Sequence, residues 1–394
     1  MERLYWNNDW KFAETWEEAM KEAVYPENEM EDVRLPHTCK ELPYHYFDEH
    51  AYQMLCGYRR HFMAPEAWQG KSVELTFEGV AHDAVVYVNG TEVKAHHCGY
   101  TAFSVELAKY LKYGEDNVLA VRVDSRENLN IPPFGYAIDY MTFGGMYREV
   151  YVQVRNKTHL ADVFVKSQIH PLQVTTEITV QNISDGITLQ QEIRKKGEGA
   201  YSPLGKKPVK QANVQTVFPV QEICLWEPEN PHLYEIRTSL WKNGEMIDAR
   251  VDITGFREAG FRKDGFYLNG KKLRLRGLNR HQSYPYVGYA APASMQIFDA
   301  DILKKELGVN AVRTSHYPQS QDFIRRCDEI GLLVFTEFPG WQHIGDEEWK
   351  RQAVQNLKEM IVQYRNHPSI ILWGVRINES QDDDVFYRET NRVA

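Results

Sequence analysis

The sequence predicts a multidomain chain in which β-structure gives way to α/β structure: two β-sandwiches, then strands alternating with helices. Period-two alternation of apolar and polar residues dominates the stretch up to about Phe256. Asn-Gly pairs punctuate that stretch as turns. From about Gly265 short apolar runs alternate with amphipathic helical segments.

In the first part, Val73, Leu75 and Phe77 alternate with Glu74, Thr76 and Glu78, and Leu119, Val121 and Val123 alternate with Ala120 and Arg122. A repeat of two puts one set of side chains on one face of a strand, so each run predicts a strand with a single buried face. Val86 to Val88 runs into Asn89-Gly90 and a second short strand to Val93. Asn-Gly suits a type I′ hairpin, whose two central residues need positive φ. Val150, Val152 and Val154 close a sandwich assigned to residues 1–156. A second strand-rich stretch, residues 157–256, holds the polar segment Lys195-Lys196-Gly197-Glu198-Gly199 and the turn Asn243-Gly244. Its size and spacing predict a small immunoglobulin-like sandwich.

In the third part, residues 257–394, the expected order is strand Leu273 to Leu275, helix Met295 to Leu307, strand Val309 to Thr314, helix Gln319 to Ile330, strand Leu332 to Phe335, helix Glu347 to Tyr364 and strand Ile370 to Val375. Phe323, Ile324, Cys327 and Ile330 fall on one helical face, as do Trp349, Ala353, Leu357, Ile361 and Tyr364. Strands alternating with such helices form parallel βα units with right-handed crossovers. Four units are present, half of the eight that close a (β/α)8 TIM barrel.

The 394 residues include 43% hydrophobic and 12% aromatic side chains, enough for sizeable cores, and the formal charge of −9 argues against nucleic acid as a partner. Five cysteines (Cys39, Cys56, Cys98, Cys224 and Cys327) are odd in number and form no C-x-x-C pair, which predicts reduced thiols rather than a disulfide framework or zinc site. Met1 to Phe12 lacks the apolar stretch of a secretory signal, and no run approaches a membrane span. The expectation is a cytoplasmic protein with no membrane partner.

Strand-to-helix loops converge at one face of a βα barrel, so polar residues at strand ends are the candidates for chemistry. The expected ends carry Asn279-Arg280-His281, then Arg313-Thr314-Ser315-His316, then Glu337 with Trp341 and His343 beyond, and finally Asn378-Glu379. Each alone has a structural explanation as a cap or surface polar group; together they point to one site.

These residues also carry a family resemblance. Gly277-Leu278-Asn279-Arg280-His281 resembles the G-x-N-R-H segment of glycoside hydrolase family 2, and Asn310 to Pro318 resembles its N-x-x-R-x-S-H-Y-P run. Cys327-Asp328-Glu329-Ile330-Gly331-Leu332 is similar to C-D-x-x-G-L, and Asn366-His367-Pro368-Ser369-Ile370 with Trp373 and Asn378-Glu379 to N-H-P-S-I…W…N-E. Further matches lie at Phe77 to Val80, Tyr87 to Gly90 and Gly144 to Arg148. The resemblance covers essentially the whole chain and implies a jelly-roll-like sandwich, an immunoglobulin-like sandwich and the first half of a TIM barrel.

It further implies a retaining hydrolase of terminal β-linked sugars, β-galactosides first, with no cofactor. Glu379 would be the general acid/base, a role that asks for a partly desolvated carboxyl group. Asn378 would hold the sugar 2-hydroxyl. His281 and His316 would line the subsite as neutral donors, with Arg313 and Trp341 beside them, and Glu337 would either orient Glu379 or Arg313 or simply pair with an arginine. Asp139, nine residues before Arg148, would reach from the sandwich to sugar hydroxyls; a turn-forming aspartate is the competing reading.

The chain departs from the pattern in two places. Before Asn378-Glu379 it reads Trp373-Gly374-Val375-Arg376-Ile377, one residue longer than W-S-x-G, which predicts an altered turn. Where some β-galactosidases bind magnesium through Glu and His, it has Trp341 and His343, so no metal site is expected; Asp382-Asp383-Asp384 reads as the start of a fourth helix. Retaining hydrolysis needs a second carboxylate about 5–5.5 Å from the first. The family places that nucleophile on a later strand, so none is expected in this chain, which would not turn over substrate alone. An unpaired edge at Ile370 to Val375 predicts a partner supplying the rest of the barrel, self-association, or a barrel part less well folded than the sandwiches. The alternatives to a β-galactosidase are a β-glucuronidase and a non-catalytic carbohydrate-binding or assembly module.

Overall fold

The computed structural model describes residues 3–44 and 48–394. Its first part is a sandwich of two antiparallel sheets. One has the strand order Leu4–Tyr5, Val150–Arg155, Ser72–Phe77, Phe103–Glu106; the other runs Glu31–Val33, Trp10–Ala13, Leu55–Met63, Asp116–Asp124, Asp83–Val88, Thr91–His96. Val73, Leu75, Phe77, Val121, Val123 and Val152 fill the space between them. The expected alternation is present, but the opposite face is not left to water. Glu78 and Thr76 are buried, and Ala120 packs under Trp16 and Met20, because the sandwich is covered on that side by its own connections and by the barrel. Asn89 and Gly90 both have positive φ (50° and 83°) between paired strands, as the hairpin reading requires.

The second sandwich packs His159–Ile169, Leu172–Gln181 and Asn213–Pro219 against Ser202–Pro208, Ile187–Lys195, Tyr234–Lys242 and Glu245–Thr254. Leu160, Val163, Ile178, Leu189, Ile236 and Leu240 form its core. The turn at Asn243-Gly244 again has positive φ at both residues.

The third part differs from expectation at its start. Lys271–Leu273 is the last strand of a small antiparallel sheet with Ala259–Arg262 and Gly265–Leu268, and the first barrel strand is Gly277–Asn279. Leu273 packs with Phe266 and Trp226 in a cluster beneath the barrel, so its apolar character reports a different core. Gly277–Asn279, Ala311–Thr314, Leu333–Glu337 and Ile370–Gly374 then form a parallel sheet in chain order. Helices Ala293–Asp301, Gln321–Ile330, Glu347–Tyr364 and Asp384–Val393 follow the strands, the first running on through a wider turn at Ile302–Glu306. Ser320, Asp346 and Asp383 cap the last three helices by accepting N–H groups of their first turns, so Asp382 to Asp384 does begin the fourth helix.

Arg148 ties the parts together. Its guanidinium, only 4% exposed, donates to the carbonyls of Glu78 (3.3 Å) and Tyr100 (3.1 Å) in the sandwich. It also donates to Gln282 Oε1 (3.1 Å) and the Pro318 carbonyl (3.0 Å) in the barrel. Trp349 Nε1 donates to the Phe134 carbonyl (3.2 Å), and Trp226 Nε1 to the Asp328 carbonyl (2.9 Å). All five cysteines are free thiols, and four of them are buried. No helix among the described residues is long and apolar enough to cross a membrane.

Among the described residues the parallel sheet has two unpaired edges: Leu278 on one is 47% exposed and Leu372 on the other 38%. Half-made burial over such strands forgoes on the order of 4–8 kcal/mol, since a fully buried apolar side chain is worth about 1.5–3 kcal/mol. Limited proteolysis is therefore expected to cut within 274–394 before it cuts the sandwiches; equal resistance would contradict this reading of the edges.

Buried histidines set an acid limit. Burial holds His82 at about 4, and His37, against Tyr58, also at about 4. Both are neutral in the fold, while the unfolded chain binds protons near 6.5, so their share of stability is present above 6.5 and gone below about 4. It amounts to on the order of 3 kcal/mol each. Glu78, raised to about 7 by burial and then by Glu149, acts in the opposite sense, its share fading as pH rises from 4.5 to 7. The net expectation is a fall in urea midpoint between pH 6.5 and 4 that His82→Gln makes shallower; an unchanged slope in that variant would remove His82 from the account.

Candidate active site

The strand ends meet at one mouth. Glu337 ends the third strand with a carboxylate only 3% exposed, and Arg313 of the second strand grips it through Nε (3.0 Å) and Nη2 (2.9 Å). The same Nη2 donates to Asn378 Oδ1 at 2.8 Å. His316 Nδ1 lies 2.6 Å from Glu337 Oε1, an oxygen that Arg313 Nη2 also reaches. Glu337 thus pairs with Arg313 and, through it, places Asn378; Glu379 itself is held by Gln342 Nε2 at 3.1 Å. A buried carboxylate, one guanidinium and one imidazole satisfy each other here, which is the condition for keeping such charges out of water.

The two histidines are neighbours, with ring centroids 5.7 Å apart. Their Nδ1 atoms meet different partners. The Glu337 carboxylate accepts a hydrogen bond from the His316 Nδ1–H. His281 Nδ1 faces the Tyr317 hydroxyl at 3.1 Å, whose oxygen already accepts the Gln282 N–H at 3.4 Å. A Tyr317 hydroxyl donating to Nδ1 would leave the His281 proton on Nε2, as a donor. Partial burial, then the neighbouring His316, hold His281 below the ordinary imidazole value.

Tyr140, which sequence reasoning passed over, packs against both rings (5.4 and 5.9 Å) and against Tyr317 (5.2 Å). Its buried hydroxyl has no partner among the described residues. Asp139 beside it is exposed, close enough for its charge to act on His281 and Tyr140. The sandwich loop bearing both is pinned: the Tyr289 hydroxyl donates to the Met141 carbonyl (2.5 Å), and His82 Nε2 bonds the Thr142 carbonyl (3.0 Å).

Glu379 departs from expectation. It is exposed rather than partly desolvated. Its backbone has φ +56°, and Gln342 opposite has +54°, both left-handed conformations costly for these residues and maintained by surrounding contacts. Those contacts join Trp341 to Asn378 as a bridge, with the Gln342 N–H donating to the Asn378 carbonyl at 2.8 Å. Trp341 thus contributes a backbone bridge to Asn378. Gln342 was missed because nothing in its neighbourhood in the sequence announces a partner 37 residues away. The altered turn is absorbed by burying Ile377, while Arg376 swings out to Asp382 and the Ser380 carbonyl. Among the described residues no cluster of three or more His, Cys, Asp or Glu is placed to hold a metal ion.

Glu337→Ala leaves Arg313 without its buried partner and Asn378 without its anchor. With Arg313 about a quarter exposed, the expected loss is about 2–3 kcal/mol in urea unfolding, and Glu337→Gln should lose less. A loss within error for Glu337→Ala would mean that the pair does not organise the mouth.

Three sequence profiles of one family match the chain in succession: Glycosyl hydrolases family 2, sugar binding domain, over residues 31–155; Glycosyl hydrolases family 2 over 158–257; and Glycosyl hydrolases family 2, TIM barrel domain, over 260–391. A β-galactosidase of Thermoanaerobacter pseudethanolicus is 47% identical over 399 aligned residues, covering 99% of this chain and 54% of its own length. One from Thermoanaerobacterium thermosulfurigenes is 46% identical over 402, covering 98% and 55%. Among solved structures, Bacteroides uniformis β-glucuronidase 2 covalently bound to cyclophellitol-6-carboxylate aziridine matches with a TM-score of 0.87 at 29% identity, covering 100% of this chain and 50% of that one. The chain spans about half the length of the curated relatives it matches. With jelly-roll-like sandwich, immunoglobulin-like sandwich and half a TIM barrel laid out in the order of the three profiles, the chain belongs to glycoside hydrolase family 2.

Proposed function

We propose that this chain, divided near residues 156 and 256, carries the acid/base half of a retaining glycosidase site for terminal β-linked sugars, β-galactosides first. The observation that carries the reading is Asn378-Glu379 at the fourth strand end, with Asn378 held by the Arg313–Glu337–His316 cluster. Glu379 would protonate the glycosidic oxygen and later deprotonate water, and Asn378 would take the 2-hydroxyl as positive charge builds on the ring. His281 as donor, His316 as acceptor and Asp139 as a two-fold acceptor suit a ring of hydroxyls, each of which both gives and takes a hydrogen bond.

The carboxylates nearest in the chain to Glu379 are engaged elsewhere. Asp382 binds Arg376, and Asp383 caps the fourth helix and pairs with Lys350. The nucleophile would lie on strands that complete the barrel along the open edges. Five unlinked thiols, four of them buried, suit a reducing compartment such as the cytoplasm.

β-Glucuronidases among the solved structures at 28–29% identity support a second reading. The Asp139 carboxylate argues against it, since it would repel a sugar acid. A pure carbohydrate-binding or assembly module would need neither Glu379 nor the paired histidines.

Calorimetric titration of the chain tests the reading. Methyl β-galactoside should bind more tightly than methyl β-glucuronide, and Asp139→Asn should weaken the galactoside by about tenfold or more, the worth of a hydrogen bond to a charged group. An aryl β-galactoside should be bound without hydrolysis. Preference for the glucuronide would favour the second reading, and rapid aryl release would show that a nucleophile is present after all.

A further inference from the structure

The link between the second sandwich and the barrel lays an arginine against the start of the fourth strand. Arg257 Nε donates to the Pro368 carbonyl at 2.8 Å, and Nη2 donates to the Ile370 carbonyl. Among the described residues Nη1 has no partner, and no carboxylate is in ion-pair contact with this guanidinium. Asp328 acts on it by charge, but that carboxylate is engaged by His367 Nδ1 (2.5 Å) and the Ser369 N–H (3.0 Å). Burial lowers the Arg257 pKa to about 10, still well above neutrality, so the charge is kept. A permanent cation whose hydrogen-bond partners are carbonyls is short of negative charge.

Beside it opens a cleft of about 170 Å³ whose walls include Phe164, Lys166, Arg257 and Arg365, and among the described residues no Asp or Glu. Phe164 gathers two further cations. Lys166 Nζ lies 4.8 Å and the guanidinium carbon of Arg365 4.6 Å from the centroid of its ring. Their carboxylate partners, Glu177 on Lys166 and Asp162 on Arg365, are not part of the wall. The Lys166 pair is exposed, and such pairs hold their partners weakly. The walls are fixed to each other by Asn366, which accepts the Val165 N–H at 2.9 Å and donates to the Val163 carbonyl at 3.0 Å.

The cleft is smaller than the roughly 300–1,000 Å³ of pockets for organic ligands, so it suits an ion or a single charged group. Three cations around so small a space call for an anion with oxygens on several sides. We propose that the cleft binds a tetrahedral oxyanion, phosphate or sulfate, free or as the end group of an ester, between Arg257, Lys166 and Arg365. None of its walls belongs to the barrel mouth, so the site is independent of the sugar chemistry there. Because Arg257 also holds the first carbonyls of Ile370–Gly374, the anion would fasten the second sandwich to the strand that leads to Asn378-Glu379.

Phosphorus NMR titration of the chain with inorganic phosphate, at constant ionic strength, tests the site. Saturable binding is expected with a Kd of about 1 mM, since two or three charge-assisted hydrogen bonds are offset by the cost of immobilising the ion. Lys166→Gln and Arg257→Lys should each weaken it by about threefold to tenfold, the second because an ammonium lacks the planar fork. Lys166 is exposed and its replacement leaves the core intact; if circular dichroism shows that Arg257→Lys does not fold, Lys166→Gln alone decides. Methyl phosphate binding as tightly as phosphate assigns the site to an ester group, and much weaker binding assigns it to the free ion. No saturation up to about 20 mM phosphate overturns the proposal. An affinity unchanged in either folded variant also does so, by placing the anion elsewhere.

Discussion

The buried guanidinium of Arg148 is the constraint from which the rest of the site follows. A charge with 4% exposure and no carboxylate in contact among the described residues must be met by dipoles, and this one finds them in two different parts of the chain. Carbonyls of Glu78 and Tyr100 come from the sandwich, while Gln282 and the Pro318 carbonyl come from the loops after the first two barrel strands. Pulling the parts apart would strand the charge, so the sandwich cannot rotate freely on the barrel. Arginine suits this better than lysine because its planar fork reaches several acceptors at once.

That docking decides what the loop before Arg148 can do. Residues 134–142 are stretched across the barrel mouth between Trp349 on one side and Tyr289 on the other. Tyr140 packs against both histidines, and Asp139 and Tyr136 are left exposed. The barrel supplies the proton-transfer and 2-hydroxyl groups, and the sandwich supplies groups around them. Neither part holds a complete pocket, in keeping with the general tendency of ligand sites to form where domains meet.

Within the barrel the polar groups form a chain of dependence. Glu337 is dry and fully partnered, Arg313 passes its second hydrogen bond to Asn378, and Asn378 joins the Trp341–Gln342 backbone. Glu379 is the outermost member and the least confined. Rigidity falls from the buried pair outward, which is the arrangement expected when a fixed base supports groups that must touch a ligand.

Much of this was legible in the sequence. Strand and helix periods gave the two sandwiches and the alternating βα units, because burial on one face writes itself directly into residue order. The polar residues at four strand ends were visible for the same reason, since the barrel topology brings strand ends together whatever their spacing. The misplacement of the first barrel strand shows the limit: Leu273 and Leu278 are equally apolar, and only packing assigns one to the cluster under Trp226 and the other to the sheet. Likewise residue order named His281, His316 and Glu337 but not which nitrogen each histidine keeps, because that depends on a tyrosine and a carboxylate brought alongside by folding. Gln342, Tyr140 and Tyr136 carry no local signal at all. Their positions come from a left-handed turn and from a loop laid across another domain, so the sequence determined the elements and the candidate groups, and tertiary contact alone decided their polarity, exposure and neighbours.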